Sequence, residues 1–285
     1  TVLKRGFGYT GYTWSAASIF NRDKRTIKKI EGFENRIAKM SLSNNHGALI
    51  TDDGELYTWG DNSYGQLGHK LEDESKPKSV ASPTLVSYFN EHNVKPKDVV
   101  LGPNHTIVLD DKGRVFTWGR GIQSNIRGSS LLLASAMALG HPKSKNISTP
   151  KPIVKLKNTP IEQVATGIYF AIALDKQGEL YVWGRGEFGV LGFENKEEKE
   201  PVVNTFFSDL LKNNPELKIV KVDSCSDFSS VLLSDGSLMS FGNNDQGNMG
   251  LGVTQAVDVC DAIQIPQVMR FEGDKSLKIV DMDLG

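Results

Sequence analysis

The stretch ELYTWGDNSYGQLG, from Glu55 to Gly68, decides the fold because related stretches recur along the chain. It begins with alternating apolar and polar residues, reaches a Trp-Gly pair and then passes into small, turn-forming residues. The related stretches are GRVFTWGRG, GELYVWGRGEFGVLG and GSLMSFGNNDQGNMG, which begin at Gly113, Gly178 and Gly236. Such recurrence indicates an internal repeat rather than a single glycine-rich loop.

Several markers keep the same register from copy to copy. The glycine that follows the aromatic residue falls at Gly6, Gly60, Gly119, Gly184 and Gly242. Fourteen residues before the last four of these lies a histidine or phenylalanine, at His46, His105, Phe170 and Phe228. The steps between successive glycines are 54, 59, 65 and 58 residues. Because independent markers agree at one spacing, we treat each repeat as one structural unit.

Each unit is predicted to be a small antiparallel sheet. Apolar and polar residues alternate in RIAKMSLS and ELYTWG, as is typical of strands with one buried face. Asp53-Gly54 separates two short apolar runs, which is a hairpin signal. A sheet of three or four strands cannot bury both faces alone, so neighbouring units must stack. Radial stacking gives an all-β propeller with one blade per unit, and a linear array of hairpins is the alternative.

The composition is that of an ordinary globular protein. The chain has 285 residues, of which 39% are hydrophobic and 24% are charged. Its net charge is −1, and a nucleic-acid-binding role would favour a basic excess, so no nucleic acid is expected as a partner. The two cysteines, Cys225 and Cys260, form no disulfide framework and favour a reducing compartment. No apolar run is long enough to predict a transmembrane segment.

These repeats resemble those of the regulator of chromosome condensation family. The family's unit carries G-x-x-H-x-x-A-L followed by D-G-x-V-Y-x-W-G-x-N-x-x-G-Q-L-G. The first full copy here matches the second half of that pattern at Asp53, Gly54, Leu56, Tyr57, Trp59, Gly60, Asn62, Gly65, Gln66, Leu67 and Gly68. The resemblance covers nearly the whole chain and implies a seven-bladed β-propeller.

The sequence departs from the family pattern at three places. Phe170 and Phe228 replace the histidine, and the second copy is interpreted as having lost its G-Q-L-G tail entirely. In place of that tail stands GIQSNIRGSSLLLASAMALG, which contains an apolar stretch. These departures are compatible with a divergent organellar member of the family, such as a mitochondrial one.

The repeat positions predict one partial propeller domain over residues 1–285. We expect a half blade at 1–34, blades near 35–94, 95–158, 159–216 and 217–276, and the start of a further blade at 277–285. Seven blades at this period need roughly 410 residues, so the chain is expected to hold about four complete blades and two halves of a larger propeller. The alternative is an open, partial propeller with exposed sheet edges.

The sequence predicts no catalytic, metal or cofactor site. Gly184-x-Gly186-x-x-Gly189 matches a dinucleotide fingerprint, but the repeat explains these glycines without a ligand. The histidines lack metal-ligand spacing, and neither cysteine has a nucleophile's surroundings. The residues singled out as structural are those of the repeat: Trp59, Gly60, Trp118, Gly119, Trp183, Gly184, Phe241 and Gly242.

Three linkers are predicted to be helical. Ser130 to Gly140 is apolar with Ser and Gly at its ends, and residues 204–214 and 83–93 show helical spacing of apolar residues. Such helices either cover the propeller's own surface or dock a partner or a membrane surface. The candidate docking residues are Leu131, Leu132, Leu133, Met137, Phe206, Phe207 and Leu210.

Two functions remain from the sequence. The first is a non-catalytic scaffold that mediates protein-protein interactions within a larger assembly. The second, which the family resemblance implies, is guanine nucleotide exchange on a small GTPase, although no wedge element for exchange can be matched residue by residue. The compartment is not fixed, with the cytoplasm and the mitochondrion as the leading candidates.

Overall fold

A computed structural model describes residues 33, 36–69, 79–121, 137–143, 145–193, 197–245, 247, 249–250, 262–268 and 278–284. Its strands form four antiparallel sheets of four strands, and in each sheet neighbours in sequence are neighbours in space. The fold is therefore mostly β, as the alternating pattern predicts, and each sheet corresponds to one copy of the repeat.

The first sheet contains β1 (Ile37–Leu42), β2 (His46–Thr51), β3 (Leu56–Asp61) and β4 (Ser79–Leu85). The second contains β5 (Pro96–Leu101), β6 (His105–Asp110), β7 (Val115–Gly119) and β8 (Ile147–Pro152). The third contains β9 (Ile161–Thr166), β10 (Phe170–Asp175), β11 (Leu180–Arg185) and β12 (Glu197–Val203). The fourth contains β13 (Ile219–Cys225), β14 (Phe228–Leu233), β15 (Leu238–Asn243) and β16 (Ala262–Val268).

Within the described residues, two short helices and three single 3₁₀ turns lie between these strands. The helices are α1 (Tyr88–Glu91) and α2 (Thr205–Asn213), and the turns are Met137–Leu139, Val154–Leu156 and Glu187–Gly189. The helix predicted over 204–214 is confirmed by α2. The one predicted over 83–93 is only a single turn, because Pro83 to Leu85 belong to strand β4.

The described residues fall into two compact units. One unit holds the first and second sheets, and the other holds the third and fourth sheets together with the described residues at 137–143. Each unit has its own apolar core between its two sheets. In the first unit that core includes Phe89, Phe116 and Trp118, and in the second it includes Leu191, Phe207 and Phe241.

In the first unit, the tail of one sheet packs under the tryptophan of the next. The Trp118 indole Nε1 donates a hydrogen bond of 2.9 Å to the Gln66 carbonyl. A Cβ on Gly68 would lie 2.9 Å from that nitrogen, and Gly68 has φ +76°, so only glycine fits there without strain. Leu67 between them is fully buried. The indole of the following sheet thus lies on the Gln-Leu-Gly tail, and we call this contact surface the seat of the indole.

The same seat in the second unit corrects one prediction. The Trp183 indole Nε1 donates a hydrogen bond of 2.8 Å to the Ala138 carbonyl. Gly140, which has φ +66°, lies against the same indole. Ala138-Leu139-Gly140 therefore contacts the indole of Trp183 as Gln66-Leu67-Gly68 contacts that of Trp118. The prediction that the second copy loses its tail entirely is wrong. Gly140 follows Gly119 by 21 residues, whereas Gly68 follows Gly60 by 8, so the tail was hidden by an insertion.

The fourth sheet carries a phenylalanine at this position. Phe241 is fully buried, and its ring lies 3.3 Å from where a Cβ on Gly192 would stand. It keeps the packing of the tryptophans but has no N–H to donate. Trp59 holds the same place in the first sheet and is 6% exposed. The four aromatic repeat residues are therefore buried at equivalent places in β3, β7, β11 and β15.

First strands also contact one another within each unit. Lys39 in β1 forms an ion pair with Asp98 in β5 at 3.0 Å. In the second unit the Gln163 side chain occupies the same place in β9, donating to the Val220 carbonyl and accepting from the Val222 amide. These contacts join β9 to β13 as the ion pair joins β1 to β5.

Residues 278–284 lie against the fourth sheet in the manner of a first strand. Lys221 in β13 pairs with Asp281 at 2.5 Å, and the Leu284 amide donates to the Asp223 carboxylate. Met282 is buried against the apolar residues Leu232 and Leu238. This is the place where the sequence predicts the next blade to start.

A buried relay of side chains joins the two sheets of the first unit. The Thr106 hydroxyl donates to the Gln66 carbonyl at 2.7 Å, so its oxygen accepts from Nε2 of His46 at 3.0 Å. The other ring nitrogen of His46, Nδ1, then accepts from the Ser43 hydroxyl at 2.9 Å. Both repeat histidines of this unit, His46 and His105, are buried. The Ser43 hydroxyl also lies 3.1 Å from the His46 carbonyl. Burial favours the neutral form of His46 by lowering its pKa to about 3.

We predict that Trp183→Ala destabilises the second unit strongly. The change removes a fully buried indole and its hydrogen bond, which should lower the free energy of unfolding by roughly 3–5 kcal/mol. Trp183→Phe, which copies Phe241, should cost far less because most of the packing is retained. Chemical denaturation measures both. A loss below about 1 kcal/mol for the alanine variant would contradict the seat described above.

We also predict that acid destabilises the first unit. Burial, with a further contribution from His105, lowers the pKa of His46 to about 3, and burial lowers the pKa of His105 to about 4. Unfolding restores both to about 6.5, so the unfolded state binds more protons below that pH. Stability is full above pH 6.5 and is lost as pH falls, by about 2 kcal/mol per histidine between pH 7 and pH 5.

The control for this acid effect is His105→Phe, which copies the residue found at Phe170 and Phe228. It removes one titrating group and should lower the slope of the unfolding free energy against pH between 7 and 5 by up to half. His46 still titrates, and so does His69, whose pKa burial also lowers. A slope equal to that of the wild type would show that His105 does not carry the effect.

Candidate interaction surface

The described part of the chain contains no group of three His, Cys, Asp or Glu residues arranged to hold a metal ion. Within it, no helix has the length and apolar character needed to cross a membrane. Burial raises the pKa of the Cys225 thiol, and Asp223 and Asp227 raise it further, so this cysteine favours its protonated, less nucleophilic form. Cys260 lies outside the described residues.

The glycine fingerprint at Gly184 has the wrong surroundings for a dinucleotide. Strand β11 lies in an antiparallel sheet and is followed by the single 3₁₀ turn Glu187–Gly189. A dinucleotide site needs a parallel strand that leads into a helix whose N-terminus faces the pyrophosphate. The glycines belong to the repeat.

Helix α2 is tied to its own unit through its N-cap. The Asn204 side chain accepts from the Phe207 amide at 3.2 Å and donates to the Leu191 carbonyl at 2.8 Å. Phe207 is fully buried, and its ring centroid lies 6.1 Å from that of Phe241. The structure therefore places the candidate docking residue Phe207 in the core. Phe206 and Leu210 pack against the same core but are only partly buried.

Helix α1 likewise buries an aromatic side chain against the next sheet, which here is the second sheet. Phe89 is fully buried, and its ring centroid lies 6.0 Å from that of Trp118. The 3₁₀ turn Val154–Leu156 buries Leu156 at the corresponding place in the chain. Each of these linkers thus inserts one large apolar side chain before the next sheet begins. The sequence alone leaves open whether these linkers cover the protein's own sheets or dock a partner, and the side chains of Phe207, Phe89 and Leu156 cover its own sheets.

The insertion in the second copy is described only at its end. Leu131, Leu132 and Leu133 lie outside the described residues, and so does the side chain of Met137. Of the stretch 130–140, for which a helix is predicted, only 137–140 is described; it contains the 3₁₀ turn Met137–Leu139, in which Ala138 and Leu139 are buried. The last three residues of the stretch thus form the surface on which the Trp183 indole lies. Docking by the leucines stays a prediction.

A small cavity of about 60 Å³ opens between the third and fourth sheets of the second unit. Its walls are the side chains of Tyr169, Arg185, Glu187, Phe188 and Asp227, over a floor that includes Phe170 and Val190. Small-molecule sites usually have several hundred Å³, so this cavity is too small for a cofactor and has room only for a group the size of a side-chain end.

The charges in this cavity do not balance. The Arg185 guanidinium lies 5.7 Å from the Tyr169 ring centroid and donates to the Glu187 carboxylate. The second carboxylate is that of Asp227, whose pKa is raised mainly by burial; Arg185 opposes this rise and Glu187 adds to it. Among the described residues that line the cavity, two acids face one base, which leaves one negative charge.

One residue that lines this cavity, and one beside it in the chain, have left-handed backbones although they are not glycine. Phe188 lies in its wall with φ +60°, and Ser226 precedes Asp227 with φ +51°. Such conformations cost free energy and concentrate at functional positions. Sequence reasoning missed this site. The available signal was an arginine after the Trp-Gly pair, at Arg120 and Arg185 but not in the other two copies.

Two sequence models of one family match the chain. Both describe the regulator of chromosome condensation (RCC1) repeat. One matches residues 53–109 and 177–233, and the other matches 37–66, 97–123 and 161–190. The matches fall on the copies of the repeat that form the sheets described above.

A curated relative and two solved structures extend this match. Human E3 ubiquitin-protein ligase HERC2 is 32% identical over 213 residues, which is 74% of this chain and 4% of that protein. Human WBSCR16 superimposes with a TM-score of 0.70 at 20% identity, covering 88% of this chain and 57% of that one. Prp20p of Saccharomyces cerevisiae, whose structure was described with its binding to Gsp1p and histones, gives 0.64 at 18%, covering 86% and 53%.

This chain therefore spans at most 57% of the length of these three proteins. Identities near 20% in the two structures show the fold alone, and that fold is a propeller of RCC1-type blades. The predicted resemblance and fold class are confirmed by these matches. By its repeats and by the fold of its sheets, the chain belongs to the regulator of chromosome condensation (RCC1) repeat family.

Proposed function

We propose that this chain is a non-catalytic scaffold that mediates protein-protein interactions within a larger assembly. The observation that carries the proposal is that the tryptophan indoles of the repeat and the N-cap of α2 are engaged within their own units. The indoles of Trp118 and Trp183 donate to the preceding tail, and the Asn204 side chain caps α2. A blade used in this way leaves recognition to its linkers and its faces.

The family comparison supports the same proposal. RCC1-type propellers take part in protein interactions, as Prp20 does in its structure with Kap60 bound. The near-neutral charge of this chain favours protein rather than nucleic acid as the partner. The insertion with Leu131, Leu132 and Leu133 is the proposed docking element, because three adjacent leucines are costly to leave in water.

Guanine nucleotide exchange on a small GTPase is the second candidate. The observation that favours it is the likeness of the fold to Prp20p, whose structure was described with its binding to Gsp1p. Exchange requires an element that enters the nucleotide site, and no residue of this chain has been matched to one. We therefore rank it below the scaffold.

We predict that Leu131→Ser, Leu132→Ser and Leu133→Ser together release a partner without unfolding the chain. The experiment captures tagged chain from its native source and quantifies co-purifying proteins for wild type and variant. The triple variant should lose at least one stoichiometric partner and keep the thermal transition of the wild type, because these leucines are proposed to contact another protein.

The matched control is Phe207→Ala, which empties a fully buried site and should lower the unfolding free energy by roughly 3–5 kcal/mol. The scaffold proposal fails if wild type retains no stoichiometric partner. It also gives way to exchange if the captured partner is a GTPase whose nucleotide the purified chain releases. If the triple variant unfolds like the Phe207 variant, the leucines form part of the fold instead.

A further inference from the structure

The internal repeat provides a template for what the cavity of the second unit lacks. In the first unit, Arg120 follows the marker glycine of the second sheet and lies over the ring of Tyr64 in the tail of the first sheet. The distance from its guanidinium carbon to the ring centroid is 4.7 Å. A basic side chain from one sheet thus covers an aromatic ring from the sheet before it.

In the second unit the ring is present and the arginine is not. Phe188 holds the place of Tyr64, four residues after the marker glycine, and it lies in the cavity wall. The residue in the place of Arg120 is Asn243, which has no positive charge. Its side chain is directed to the next turn, where it accepts from the Asp245 amide at 2.8 Å. The space over Phe188 that an arginine would occupy is therefore left to the cavity.

The site around Tyr64 in the first unit and the cavity around Phe188 in the second also differ in charge. In the first unit, the counterparts of Arg185, Glu187 and Asp227 are Asp61, Ser63 and Asn104. With Arg120 added, that site has one acid and one base. The described residues at the cavity of the second unit include two acids and one base, and no arginine stands at the position equivalent to Arg120. One further cation would make the second site neutral as well.

We infer that this cavity receives an arginine or lysine side chain of a partner protein, which lies over Phe188 between Glu187 and Asp227. The inference rests on the proposed scaffold function and names one of its contact points. The incoming cation would take the place that Arg120 takes in the first unit, with its stem along the Phe188 ring and its charge at the two carboxylates.

Other observations at the cavity agree with this occupant. Its volume of about 60 Å³ suits one side-chain end. Phe188 in its wall holds a left-handed backbone, which is a local cost that a functional contact explains. Burial that raises the pKa of Asp227 would be opposed by a cation at that carboxylate. An anionic ligand would instead meet two like charges.

The test uses N-acetyl-arginine methylamide as the probe and its citrulline counterpart as the neutral control of the same shape. Amide resonances of the isotope-labelled chain are followed by NMR as each compound is added to millimolar concentrations. We expect saturable shifts at Phe188 and Asp227 with the arginine probe and none with citrulline. Equal shifts with both compounds, or none with either, would overturn the inference.

Variants make the test specific to the cavity. Asn243→Arg supplies the missing guanidinium from the chain itself and should abolish the probe's shifts, whereas Asn243→Gln should leave them. Asp227→Asn should weaken binding at least tenfold, while Asp235→Asn, an exposed aspartate elsewhere in the fourth sheet, should not. Unchanged thermal transitions confirm that each variant is folded. Binding that survives Asn243→Arg would place the probe elsewhere.

The same variants separate this inference from the scaffold proposal. If Asn243→Arg releases a partner captured by the wild type and Asn243→Gln retains it, the cavity is a contact point of the assembly. If every captured partner is retained by Asn243→Arg, the inference fails while the scaffold proposal stands.

Discussion

The contact between a tail and the aromatic residue of the following sheet is the interaction on which the rest of the structure depends. A four-stranded sheet has two faces to cover and cannot do so alone. The Leu-Gly tail offers a bare backbone on which an indole can lie, and the preceding carbonyl accepts its N–H. In the first unit this joins two sheets at Trp118, and in the second unit Phe241, which lies against Gly192, joins the third and fourth sheets. The linkers then add Phe89 against Trp118 and Phe207 against Phe241.

Once this contact holds two sheets together, the positions around it are free to differ. The histidine relay is present in the first unit, whereas Phe170 and Phe228 stand at the histidine positions in the second. Arg120 covers an aromatic ring in the first unit, and Asn243 leaves the corresponding ring to a cavity in the second. Repetition thus secures the fold, and departures from repetition create the sites at which we propose that a partner is recognised. This is why the structural and the proposed functional residues lie side by side.

Much of the fold could be predicted from the sequence because strand alternation, turn glycines and the Trp-Gly pair are local signals. The second tail was missed because an insertion moved Ala138 to Gly140 away from the expected spacing, and only the indole of Trp183 identifies it. The burial of Phe207 could not be separated from docking, since an amphipathic helix looks alike whether its own core or a partner covers it. The cavity was missed because it arises from residues of two sheets, Phe188 and Asp227, whose meeting is a property of the stacked pair.

The central claim is tested most directly by hydrogen exchange at the indole nitrogens, followed by NMR in the intact chain. If the indoles lie on the tails at Gln66 and Ala138, the Nε1 protons of Trp118 and Trp183 should exchange only when their unit unfolds. Their protection should then equal that of the slowest amides in the same unit. Exchange of either proton within minutes under native conditions, while those amides stay protected, would show that the seat is not formed and would contradict the account.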